Sequence, residues 1–202
     1  MPATRTEVFI ELSEFVREFR ERARVQGVTI RPGECFGFAT YAQTGPEPEF
    51  LAAVHRQSVV MRHLLGALLE SRPAGIMAAQ RERPRGQSGA APGAGDAGYG
   101  AGAEEFFEMS PARSTATPGL AEVIAFRLKF AGFTPVLRDF LNRLQQDSTP
   151  LVVRSVEAEP VTNPALAEAE TAATRPPFAP QVMQFTVTIE HIRLLVEDPP
   201  AS

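Results

Sequence analysis

Several things are scarce in this 202-residue sequence, and each scarcity excludes something. It has a single cysteine, Cys35, so no intramolecular disulfide can form and cysteine usage does not fix the redox compartment. It lacks an excess of positive charge. Lys plus Arg total 20 against 24 Asp plus Glu, a net charge of −4, which argues against general binding to nucleic acid or to an anionic membrane. Apolar runs such as Ala74–Ala79 stop far short of the ~18 residues that a membrane-spanning helix needs. The N-terminus does not read as a signal peptide, because Met1–Thr6 leads straight into a charged amphipathic stretch. The signatures of catalysis are also missing: no HExxH, no CxxC, no GK[ST] phosphate loop and no Ser–His–acid spacing of a known type. What is present is a hydrophobic content of 44%, enough for a substantial core, and 14 phenylalanines.

The chain is organised around residues 120–158. In LAEVIAFRLKF, Ile124, Phe126, Leu128 and Phe130 alternate with Arg127 and Lys129, the period-2 pattern of a half-buried strand. Ala131-Gly132 ends it. TPVLRDFLNRLQQD then carries Leu137, Phe140, Leu141 and Leu144 at helical spacing, with Thr134 as expected N-cap and Pro135 at the first helical position. After Ser148-Thr149-Pro150, the β-branched LVVRSVEA reads as another strand.

Upstream, residues 6–25 read as a helix. Val8, Leu12, Phe15 and Phe19 form an a/d seam, widened by Phe9 and Val16. Two readings of the seam are open: packing on the chain's own core, or a coiled-coil segment that meets a partner. Residues 28–49 are loop-like, punctuated by glycine and proline. Within them ECFGFATY (Glu34–Tyr41) superficially matches the aromatic strand of RNA-recognition domains, but Glu34 stands where a cation belongs. The bland alternative is an ordered loop whose aromatics plug into the core. Pro48–Ser71 reads as a second helix, buried through Leu51, Val54, Met61, Leu64, Leu65 and Leu68. His55 and His63 on it are too far apart to chelate a metal and read as rim histidines. Ala74–Arg83 and Glu104–Ser110 read as strands, and the final VMQFTVTIEHIRLLVE as a strand whose alternation changes parity near Glu190-His191, which predicts a β-bulge. The Gly/Ala-rich 84–103 and the Pro-rich 160–180 are expected to be flexible insertions.

These elements give helix–strand–strand twice. The expected fold is α+β: a permuted ferredoxin-like (αββ)2 sandwich, its antiparallel sheet covered by helices on one face and preceded by an N-terminal amphipathic helix. The expected organisation is a helix over 1–27 and a ferredoxin-like domain over 28–198.

Phe126–Pro160, with its strand–Gly–helix–strand order and Gly132, Asn142 and Arg154-Ser155, resembles the core of PilO-like periplasmic proteins of type IV pilus and type II secretion systems. With His55–Glu82 added, it is similar to the Amuc-type pilus-like proteins of verrucomicrobia. The resemblance implies a non-enzymatic assembly protein that pairs with itself or a paralogue as a homo- or heterodimer. It also implies a place at the periplasmic face of the cell envelope, anchored by a membrane helix that this sequence does not contain. No cofactor, metal or nucleic acid is expected. The expected partner-binding residues are Val8, Leu12, Phe15 and Phe19, together with any exposed sheet edge. The alternatives are a ligand- or RNA-binding ferredoxin-like module and an enzyme using Cys35 as nucleophile.

Overall fold

A computed structural model describes residues 4–84, 86, 105–109, 114–115, 120–146, 148–161 and 181–195. The order is helix α1 (Arg5–Val25), strand β1 (Thr29–Ile30), helix α2 (Leu51–Glu70), strands β2 (Gly75–Glu82), β3 (Phe106–Phe107) and β4 (Ala121–Gly132), helix α3 (Thr134–Gln146), and strands β5 (Leu151–Pro160) and β6 (Met183–Leu194). Short 3-10 turns at Ala39–Tyr41 and Pro48–Phe50 precede α2. The insertions expected at 84–103 and 160–180 lie almost wholly outside the described residues.

The sheet runs β1-β2-β4-β6-β5, with β3 also paired to β2. Each neighbouring pair in the run β2-β4-β6-β5 is antiparallel, and with α2 and α3 these strands make the permuted ferredoxin-like sandwich that the sequence predicts. β1 is an addition that the sequence reading does not anticipate, whereas β3 falls within the expected strand Glu104–Ser110. Both join β2 in parallel.

Local chemistry explains the element starts. At the head of α1, Thr4 Oγ1 accepts the Glu7 N–H at 3.2 Å while the Glu7 carboxylate accepts the Thr4 N–H at 3.0 Å, a reciprocal cap that satisfies two otherwise orphaned donors. α3 begins at Thr134 itself, one residue earlier than a Thr134 cap would place it. α2 starts at Leu51, because Pro48–Phe50 winds as a 3-10 turn.

The core lies between the helices and one face of the sheet. Phe126, Leu128 and Phe130 of β4 and Phe185, Val187 and Ile189 of β6 point into it and meet Met61, Leu64, Leu65 and Leu68 of α2 and Phe140 of α3. Phe130 packs edge-on against Phe140, with ring centroids 5.7 Å apart. α1 adds Val8, Leu12, Phe15, Phe19 and Ala23 to the same core.

The predicted bulge in β6 is not there. Pairing of β4 with β6 runs without interruption from Ala121↔Leu194 to Gly132↔Met183. The parity change has another cause: Ile189 faces the helices, whereas Ile192, opposite Val123, belongs to the other face. The irregularity falls on β5 instead, between Val153 and Ser155.

Candidate functional site

The two long sides of the sheet are treated differently. Arg81 pairs with Phe126 of β4 and also with Phe106 of β3, so β3 lies on the side of β2 away from β4. β1 occupies that same side at Gly75 and Ile76. Between them the loop after β1 closes in, and a Cβ on Gly37 would lie 3.3 Å from the Ala79 carbonyl oxygen. That approach and a φ of +83° explain glycine at this position.

A buried cation ties this side together. The fully buried Arg81 donates from Nε to the Gly37 carbonyl, from Nη1 to Gln57 Oε1 at 2.6 Å and from Nη2 to Glu105 Oε1 at 2.9 Å. Its guanidinium lies 4.9 Å from the ring centre of Phe38, 5.2 Å from that of Tyr41 and 4.5 Å from that of Phe106. Glu105 in turn accepts from the Thr40 N–H and hydroxyl at 2.7 and 2.6 Å. Strand β3, the loop and α2 are thus fastened to β2 through one arginine.

The aromatics of ECFGFATY are therefore interior. Phe36, Phe38 and Tyr41 are buried, with Phe36 4.9 Å from Phe19 and Phe38 6.4 Å from Phe15, ring centre to ring centre. They offer no face to a base, and the segment is the core plug of the bland reading. Glu34 is buried with them. Its Oε1 accepts the Phe36 N–H at 2.7 Å, and Oε2 is enclosed with no hydrogen-bond partner among the described residues. Burial pushes the Glu34 carboxyl above its ordinary range, against the N–H groups of Phe36 and Ala79 and the charges of Arg31 and Arg20, which pull the other way.

The expected partner seam has the same fate. Val8, Leu12, Phe15 and Phe19 all lie inside the chain's own core, so in this fold they present nothing to a second protein. The physical reason is the loop: Phe36 and Phe38 fill the space over the seam that a partner helix would occupy.

Cys35 is half-buried, its thiol 3.5 Å from the Gly33 carbonyl, and burial raises its pKa further from the thiolate form a nucleophile needs. The thiol therefore hydrogen-bonds to backbone and not to a histidine. His55 Nδ1 sits 3.2 Å from Glu11 Oε2, joining α2 to α1. His191 is part-buried on β6, and desolvation followed by the nearby Arg193 lowers its pKa while Glu122 opposes. A shallow groove of about 520 Å³ is lined by Gln26, Glu70, Arg72 and Arg143. Arg143 is already spent there on Glu70 at 2.6 Å and Asp139 at 3.0 Å. Among the described residues no cluster of three or more His, Cys, Asp or Glu is placed to hold a metal ion.

The other side of the sheet is β5, and no described element lies beyond it. The Pro150 carbonyl accepts the Ile192 N–H at 2.9 Å, and the Val161 N–H donates to Val182 at 3.4 Å. Antiparallel pairing alternates from those two points, so Val152, Ser155, Glu157 and Glu159 aim their backbone groups at β6. Val153, Val156 and Ala158 aim theirs outward. Val153 and Val156 are 39% and 40% exposed. Arg154, at the irregularity, places Nε 3.6 Å from the buried Glu190 Oε2. Glu190 also accepts from the Thr115 hydroxyl at 2.7 Å. The sequence reading names exposed edges only in general. Which edge stays open has no local signature, because it depends on where β1 and β3 attach.

Among the described residues no helix is long and apolar enough to cross a membrane. No curated protein matches this sequence. The fold is similar to solved structures from Akkermansia muciniphila. One crystal structure has a TM-score of 0.67 at 13% identity, covering 100% of this chain and 83% of that one. A core-domain crystal structure gives 0.66 at 12%, covering 97% and 91%. A third structure, determined without the transmembrane region, gives 0.67 at 11%, covering 98% and 90%. At such identities these likenesses speak for the fold alone. A family model described as pilus-like matches residues 2–188. The family is structural and is not a known enzyme family. Matched over nearly its whole length, this chain belongs to the pilus-like family.

Proposed function

We propose that this chain is a non-enzymatic interaction protein of a type IV pilus-like or type II secretion-like envelope assembly, acting by docking to protein partners. The observation that carries the reading is the pilus-like match across residues 2–188. The geometry is consistent with it: one sheet edge is closed by the chain's own loop and strands, and at the other no described residue pairs with the outward backbone groups, the kind of surface that recruits another chain. Docking through β5 replaces docking through the α1 seam in this reading. A structural relative that was solved without its transmembrane region supports a place at a membrane, and we assign the chain to the periplasmic face of the envelope. In the assembly it works as a homodimer or as a heterodimer with a paralogue.

The test is crosslinking in living cells from a photoreactive residue placed at Val156, with mass spectrometry of the adducts. Recovery of a pilus- or secretion-assembly subunit, or of a second copy, supports the reading. Absence of any protein adduct, together with a sedimenting monomer at high concentration, overturns it.

A further inference from the structure

We propose that the β5 edge receives an extended strand of a different protein, one that alternates apolar with basic side chains. The inference rests on the docking function above and names the chemistry of the partner.

Three features of the edge define it. First, the backbone groups that no described residue pairs with are contiguous: past the irregularity at Arg154, the N–H and C=O of Val156 and Ala158 both point away from β6. Pro160 closes the run, because it has no N–H to offer. Second, the side chains of Val153 and Val156 face the helix side of the sheet and are uncovered there, so an added strand gains apolar contact if its own side chains on that face are apolar. Third, the opposite face of β5 is acidic. Glu157 and Glu159 stand on it, exposed, and the side chain of Arg154, 28% exposed, is paired with the buried Glu190 at 3.6 Å. Lys129 and Arg127 lie two strands away on β4. A strand laid along β5 sets its side chains beside these carboxylates at cross-strand distance, where opposite charge stabilises and like charge does not.

The same acidic face disfavours a second copy. An antiparallel pair of β5 strands brings two sets of Glu157 and Glu159 to one seam, with each Arg154 already paired to its own Glu190.

The test uses the full chain and fluorescence anisotropy with labelled peptides of about ten residues, alternating valine with lysine, with glutamate or with serine. The expected order of affinity is lysine above serine above glutamate. Val156→Pro removes an outward N–H while leaving the β6 ladder intact, and should weaken the lysine peptide at least about ten-fold. Circular dichroism checks that this variant is folded. Glu157→Lys with Glu159→Lys, which does not touch the backbone, should reverse the preference to the glutamate peptide. Binding that ignores the Val156→Pro change in a folded variant, or a charge reversal that leaves the order unchanged, overturns the proposal. So does concentration-dependent self-association that Val156→Pro abolishes, since the occupant is then a second copy. Failure here is separable from failure of the docking function: if the Val156→Pro protein still enters the envelope assembly in cells, the docking reading stands and this inference falls.

Discussion

Arg81 and Glu105 form an ion pair of 2.9 Å in which the arginine side chain is fully buried and the glutamate is 9% exposed. The pair spans 24 residues of sequence and fixes β3 on β2. Breaking one partner of such a pair is far more costly than the net worth of the pair, because a buried charge is left behind.

Glu105→Ala should therefore destabilise the fold by about 3 kcal/mol, and Arg81→Met in the same background should recover part of that loss. Urea unfolding of the two single variants and the double variant measures it. Additive losses would mean that the pair is not coupled.

Phe15→Ala should cost about 3 kcal/mol, and Phe15→Asp with Phe19→Asp should abolish folding, because both rings lie in the core against Phe36. Thermal melts followed by circular dichroism decide the point. A cooperative transition unchanged in the double aspartate variant would place the seam outside the core.

Glu34 makes stability depend on pH. Its folded pKa is raised above the ordinary 4.5, mainly by burial, so the folded state binds the proton more tightly than the unfolded chain does. That contribution is fully present below the unfolded pKa and is lost as pH rises through the folded pKa. Wild type should thus lose stability as pH climbs above 4.5, and Glu34→Gln should flatten that slope. Urea midpoints over a pH series test this, and identical slopes in the two proteins would rule it out.

Gly37→Ala should destabilise by about 1–2 kcal/mol, combining a φ of +83° with a new contact at 3.3 Å from the Ala79 carbonyl. Differential scanning calorimetry reads the effect. Gly66→Ala, where no atom lies within 4 Å of the added carbon, serves as the control and should be neutral or slightly stabilising.

Much of the architecture was legible because its signals are local. Alternation from Ile124 to Phe130 marks β4, and helical spacing from Leu137 to Leu144 marks α3. The order of elements then leads to the sandwich. Other features carried no local signal. Arg81 looks like one of several charges in QRER, yet it is the buried hub of the sheet's closed side. ECFGFATY has the composition of a base-stacking strand, but Phe36 and Phe38 are drawn under α1. The parity change in β6 reads as a bulge by itself. It is explained only when Val123 is seen opposite Ile192 on the second face.

By itself the sequence determined the periodic elements and their layering, since helix and strand periods are properties of neighbouring residues. Only the tertiary structure decided that the phenylalanine stripe of α1 is internal and that β5 is the side with no described strand beyond it. Both outcomes depend on which distant segment arrives to cover a surface, and such pairings between residues far apart in the chain leave no periodic trace.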